Sequence, residues 1–250
     1  CWLVVAGAAL VALLIDLILI KNKPADIGQI PDGSSDVAES MAKPGKKASK
    51  YIPYSTKDDW TVKEALTNSR CWLTLAAAIG LYIPYMMLIS HGIACLGDHG
   101  IPASAAAFSI SLVTATSIVG RLLGGELCNR MPARFVWAGS LVVLLMGSIF
   151  LMTATGTVGM VLYAVCTGIG FGASFVCMPV VFSSYYGAKI YSSLFGTLFP
   201  IITICSSISP TLAGYLFDAS GSYTSGFIMI IAFNVVGIIA SLLNTPPKKQ

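Results

Sequence analysis

The stretch TATSIVGRLLGGELCNRMPAR, Thr114–Arg134, begins as an apolar helix, carries one arginine inside it and ends in a short cationic turn. An arginine within a membrane span costs about 2.5–3.5 kcal/mol at the helix centre on insertion scales, so such a residue points to a function. Whether Arg121 sits in a membrane depends on the chain around it. The chain is 56% hydrophobic and 10% charged, against about 25% charged for an ordinary soluble domain. With a mean hydropathy of +0.80, too few charges remain to coat a soluble core. The composition is that of an integral membrane protein.

Apolar runs that match the ~20 residues needed to cross a hydrocarbon core of about 30 Å fall at seven places. They are Trp2–Ile20, Cys71–Ser90, Ser104–Leu127, Phe135–Thr155, Gly159–Phe182, Ser192–Phe217 and Ser225–Leu243. None alternates residue by residue as a barrel strand does, so the expected fold class is an all-α membrane protein with seven transmembrane helices. The chain opens at Cys1 directly in apolar sequence, and the expectation is that it begins inside a membrane helix. The division expected is a first helix at 1–20, a loop at 21–70, a six-helix bundle at 71–244 and a tail at 245–250.

Lysine and arginine set the orientation. Nine lie in Lys21–Arg70, then Arg130 and Arg134, Lys189, and Lys248 and Lys249 follow in every second connection. The connections between, His91–Ala103, Gly156–Val158 and Asp218–Thr224, have none. This places the N-terminus of the chain outside and the long loop and tail in the cytoplasm of a multi-pass protein of the cell membrane. Within the loop, Pro24–Lys50 reads as a mobile linker from its Pro, Gly, Ser, Asp and Lys content. Residues 60–70 read as a short amphipathic helix with Thr61 and Glu64 as its capping box.

The remaining chemistry is sparse. Seven cysteines lie mostly within apolar runs without a C-x-x-C pair and read as small buried hydrophobes. His91, Cys95, Asp98 and His99 are of metal-ligand type, but they fall in a glycine-punctuated outer connection, and no metal or cofactor is expected. No nucleophile elbow, phosphate loop or HExxH spacing occurs, so the chain does not read as an enzyme. The cations are spread by topology and do not form a nucleic-acid patch. Asp16 reads as an interfacial acid, and Glu126 as a partner of Arg130 one helical turn on. Gly120, Gly124, Gly168, Gly170 and Gly172 have the spacing that lets helix backbones approach. Pro84, Pro179, Pro200 and Pro210 interrupt helices in a way a plain anchor does not need.

Four stretches carry a family resemblance. They are Asn22-Lys-Pro-Ala-Asp-Ile-Gly28 with Pro31-Asp-Gly33, Trp60-Thr-Val-Lys-Glu-Ala-Leu66 with Cys71-Trp72, Tyr82-Ile-Pro-Tyr-Met-Met-Leu88 with Gly100-Ile101, and Gly120-Arg121 with Gly125 and Asn129-Arg130. Pro210, Ala213, Gly214, Asp218, Gly221 and Tyr223 extend the match. The chain resembles the C-terminal half of a major facilitator superfamily transporter, within the oxalate/formate antiporter and monocarboxylate transporter group. The resemblance implies that the seven spans are helix six plus the C-terminal six-helix bundle of a twelve-helix fold, and that the protein needs its own N-terminal half. It implies a secondary carrier of small organic anions, mono- or dicarboxylates, working by alternating access with a coupled proton or counter-anion. Arg121 is the main substrate-site candidate, with Thr114 and Ser117 near its helical face and Tyr82, Tyr85, Phe171 and Phe175 as cavity aromatics. Gly125, Asn129, Arg130 and Arg134 form the cytoplasmic loop motif. Asn129 and Pro132 stand where that motif usually has Asp and Gly, and Ser117 stands where many monocarboxylate carriers have Asp. The alternatives are a seven-helix receptor, against which the 50-residue first loop and the short Gly156–Val158 connection speak, and a non-carboxylate major facilitator carrier. Besides substrate, membrane lipid is the expected partner.

Overall fold

The computed structural model describes residues 2–19 and 51–249. The linker expected at 24–50 lies outside the described residues. Helix α1, Trp2–Leu19, is a unit by itself: an apolar helix whose single charge, Asp16, lies in its last turn. The second unit holds α2 (Val62–Thr67), α3 (Ser69–Asp98), α4 (Ala103–Cys128), α5 (Ala133–Met152), α6 (Gly156–Tyr186), α7 (Ala188–Ser220) and α8 (Thr224–Leu243). The last six are each long and apolar enough to cross a membrane.

Several helices run past the apolar stretches that mark them. Helix α3 continues through His91 and Cys95 to Asp98, so most of the expected outer connection is helical. The intrahelical hydrogen-bond ladder does not end where side chains turn polar; it ends where a glycine or proline breaks it. Here the break is Gly100 followed by Pro102, and α4 begins immediately after. The amphipathic segment is shorter than the sequence suggests. Its capping box forms, with the Glu64 N–H on Thr61 Oγ1 at 3.3 Å and the Thr61 N–H on Glu64 Oε2 at 2.8 Å. Asn68 then ends α2 and starts α3, its Oδ1 accepting the Arg70 N–H at 2.9 Å.

The bundle is assembled where backbones come close, because lipid-facing surfaces give no hydrophobic reason for one helix to prefer another. Helix α4 crosses α6 with Gly120 against Ile169 and Gly124 against Ala173, while Gly172 lies against the backbone of Ser117; a Cβ on Gly124 would come within 2.8 Å of Ala173 Cα. Helix α3 crosses α8 at Gly80 and Gly237, where a Cβ on Gly80 would come within 2.6 Å of Gly237 Cα. Helix α6 also receives α5, through Gly147 against Thr167 and Gly170 against Leu144. Helices α3 and α6 are the most enclosed spans, 61% buried each, and α4 and α7 the least at 28% each. The bundle therefore has a centre, α3 and α6, and two spans with broad uncovered faces.

Polar side chains inside the bundle donate to backbone carbonyls of α3, one of them where a proline leaves a gap. Pro84 has no N–H to give the Gly80 carbonyl, one turn back. Asn234 of α8 fills that place, its Nδ2 donating to Gly80 O at 3.1 Å. Tyr163 donates to Leu88 O at 3.0 Å and Ser209 to Ile83 O at 3.0 Å, both on α3. The end of α8 is closed in the same way. Arg70 donates to Leu243 O at 2.6 Å, and Tyr185 to Asn244 O at 2.8 Å.

Candidate functional site

Arg121 lies seven residues before the end of α4, about 10 Å along the axis at 1.5 Å per residue. Its guanidinium carbon sits 4.7 Å from the centroid of the Phe175 ring on α6. A cation over an aromatic face is worth about 0.5–2 kcal/mol, more as water is excluded, so Phe175 holds the arginine without neutralising it. None of the ion pairs among the described residues involves Arg121. The position one turn earlier is Ser117, which carries no charge, and the guanidinium keeps its paired donors for another acceptor.

The rings continue from there. Phe175 packs on Phe171 at 5.8 Å, and Phe171 stacks on Tyr85 at 3.6 Å with the planes 9° apart. Tyr82 meets Phe171 edge-on at 6.2 Å and Phe199 of α7 at 6.0 Å. Phe199 stacks on Phe195 at 4.9 Å, and Phe195 packs on Tyr191. Pairs of this kind add about 0.5–1.5 kcal/mol each beyond area burial. They fasten three helices, α3, α6 and α7, and the contact of Arg121 with Phe175 adds α4. Tyr82 is buried, with a relative exposure of 6%, and its hydroxyl has no hydrogen-bond partner among the described residues. A buried hydroxyl left unpaired costs roughly 1–3 kcal/mol, which an incoming acceptor would recover.

The structure thus brings Arg121, Tyr82, Tyr85, Phe171 and Phe175 together. Ser117 and Thr114 stand differently. Ser117 is turned into the α4–α6 crossing, against Gly172, and its hydroxyl donates to Thr114 O at 2.7 Å. Thr114 is exposed, with its hydroxyl on Ile110 O at 3.0 Å. The α7 rings were not among the sequence candidates. Tyr191, Phe195 and Phe199 recur every four residues, an aromatic stripe along one face of a helix that a search for charge passes over.

The loop after α4 is organised by its own ends. Asn129 closes α4, and Arg130 returns to Glu126 one turn back, Nε to Oε1 at 2.7 Å, the pairing expected from their spacing. Both side chains are well exposed, so the pair adds only about 0.3–0.5 kcal/mol. Gly125 approaches Val176 of α6, and Arg134 lies over the Phe135 ring at 4.5 Å while its carbonyl accepts the Ser241 hydroxyl. Away from this end, His91 donates from Nε2 to Pro210 O at 2.9 Å and packs on Tyr223.

Comparison with known proteins agrees with this architecture. The chain is 32% identical to monocarboxylate transporter 13 of Bos taurus over 164 residues, 63% of this chain and 37% of that protein. It is 29% identical to monocarboxylate transporter 10 of Danio rerio over 160 residues, 62% of this chain and 30% of that protein. It is 26% identical to monocarboxylate transporter 7 of Homo sapiens over 236 residues, 91% of this chain and 43% of that protein. The chain therefore spans less than half the length of these curated relatives. The family profile described as Major Facilitator Superfamily matches residues 1–210. Six apolar spanning helices and that match make this a multi-pass membrane protein, and the chain belongs to the Major Facilitator Superfamily.

Proposed function

We propose that this chain forms the anion-binding half of a secondary carrier for small monocarboxylates, working by alternating access. The observation that carries this reading is Arg121, a guanidinium held over Phe175 in the chain of rings that leads through Phe171 to Tyr82, and in none of the ion pairs among the described residues. A guanidinium offers a planar fork of donors that fits a carboxylate with two parallel charge-assisted hydrogen bonds. The substrate is then the counter-ion, with the face of the Phe175 ring against the guanidinium. A proton or a counter-anion moves with it. The relatives' printed names, monocarboxylate transporters, support the same substrate class. The broad uncovered faces of α4 and α7 are where the other half of the carrier meets this one. The alternation of lysine and arginine supports a cytoplasmic C-terminal tail in the cell membrane.

The test is one substitution in the full-length carrier with expression matched to wild type. Lysine supplies the charge of Arg121 without its fork, so Arg121→Lys should lose most carboxylate uptake, and Arg121→Gln at least as much. Near-normal uptake by Arg121→Lys would make Arg121 a residue that reaches the membrane surface on a flexible stem and would end the argument for an anionic substrate.

A further inference from the structure

A cavity of about 450 Å³ opens at the end of the bundle that carries the loop after α4. It lies between the segment before α2, the first turn of α5 and the end of α6, away from Arg121 and its rings. No Asp or Glu lines it. Its one charge is Arg134, whose guanidinium rests on the Phe135 ring and takes part in none of the ion pairs among the described residues. Helix α5 begins there at Ala133 behind Pro132, which provides no side-chain cap, so the positive end of a 20-residue helix adds to the same field.

The opposite wall is a strap tied to the bundle. The Thr56 N–H donates to Ser184 O at 2.8 Å, and Tyr54 packs edge-on against Tyr185 at 5.9 Å. Ser184 and Tyr185 spend their hydroxyl protons on carbonyls. Ser55 and Tyr54 do not, and they line the same cavity as Arg134. The cavity lies at one end of the bundle, where α5, a helix long and apolar enough to cross a membrane, begins and where Phe135 is 44% exposed.

We propose that this cavity is a phosphate site: Arg134, the first turn of α5 and the Ser55 and Tyr54 hydroxyls hold the phosphate of an anionic phospholipid headgroup or of a soluble phosphate ester. Its volume falls in the range of about 300–1,000 Å³ that small-molecule sites occupy, larger than a bare anion requires. A bound phosphate bridges the strap to α5 and α6, so occupancy fastens the segment that precedes α2 to the bundle.

The experiment measures thermal unfolding of the purified full-length protein in neutral detergent while phosphatidylglycerol, phosphatidylcholine or inorganic phosphate is titrated in. Phosphatidylglycerol should raise the midpoint saturably, and phosphatidylcholine should not. Arg134→Gln should move the half-saturating phosphatidylglycerol concentration at least fivefold higher, while Lys248→Gln, which removes a cation outside the cavity, should leave it in place. If inorganic phosphate competes with the lipid, soluble esters share the site; if it has no effect, the headgroup is the ligand. Absence of a saturable shift with either phosphatidylglycerol or phosphate overturns the proposal, as does an Arg134→Gln protein that responds like wild type. Should Arg134→Gln fail to fold, Ser55→Glu decides by the same criterion, since it sets a carboxylate in the cavity and leaves Arg134 intact.

Discussion

Arg121 and Tyr82 illustrate how little of a side chain's role depends on the residue alone. Arg121 stands out in any reading of the chain, because a charge in an apolar run is expensive. Tyr82 does not, because tyrosine is at home in a span. Only its place in the chain of rings that reaches Arg121, with a buried hydroxyl that has no partner among the described residues, separates it from other tyrosines. Tyr82→Phe removes that hydroxyl and nothing else. If the hydroxyl serves the substrate, the variant should show a KM for carboxylate raised roughly tenfold or more, the value of a hydrogen bond to a charged group at about 1.5–3 kcal/mol. Its thermal stability without substrate should be equal to or above wild type, because an unpaired buried group has been removed. Uptake assays and unfolding curves on the same preparation check both halves. A stability loss with unchanged KM would make Tyr82 a packing residue only.

At the scale of elements, two devices hold helices in place. The first is the pairing of Pro84 with Asn234: α3 lacks a backbone donor at Gly80 O, and α8 supplies one. Asn234→Ala should leave that carbonyl unpaired in the bundle interior and cost about 1–2 kcal/mol, the upper range for interhelical hydrogen bonds in membranes. Reversible unfolding in mixed micelles should register the loss, and Asn234→Gln should not restore it, because the closely packed Gly80–Gly237 crossing leaves little room for a longer side chain. The second device is the tail. Lys249 Nζ lies 3.3 Å from Glu64 and 6.0 Å from the Trp60 ring, and it also donates to the Asp59 carbonyl. The Glu64 carboxyl is held below the ordinary glutamate value first by the Thr61 N–H, then by the Thr61 hydroxyl and Lys249. Because its folded pKa is depressed, what it contributes is present above the ordinary value and is lost as pH falls through the lowered one. A nitroxide on Lys248→Cys should therefore become mobile as pH drops below 4.5. With Glu64→Gln the label should be mobile at every pH.

For the molecule as a whole, the orientation proposed from lysine and arginine is open to direct test. In a cysteine-free, full-length background, Ser222→Cys should react with an impermeant thiol reagent applied outside intact cells, and Lys248→Cys should react only after permeabilisation. Ser222 is the better probe than its neighbour Gly221, whose φ of +67° would strain a cysteine. Labelling of Lys248→Cys from outside would invert the orientation. The uneven cover of the spans belongs to the same scale. Helices α3 and α6 are enclosed while α4 and α7 are open, so a partner half should meet the bundle along α4 and α7.

Much of this was legible in the chain. Composition gave the membrane class, run lengths gave the six spans of the bundle to within a few residues at most ends, and the Thr61–Glu64 spacing gave the cap of α2. The Glu126–Arg130 pair followed from helical spacing as well. All of these are local: each depends on neighbours within a turn or on the cost of placing a charge in hydrocarbon. What only the tertiary structure decided is which face of each span turns inward. A span is apolar all round, so hydrophobic periodicity carries no direction. Direction comes instead from small residues that let backbones meet and from Gly80 O, the carbonyl that Pro84 leaves without a donor. Those are facts about pairs of helices far apart in sequence. Ser117 lies on nearly the same face as Arg121 in the sequence, yet Gly172 draws it into the α4–α6 crossing, whereas Arg121 emerges beside Phe175. The Tyr82–Phe199 contact and the Asn234–Gly80 bond join residues more than a hundred positions apart, and no stretch of the chain read alone contains them.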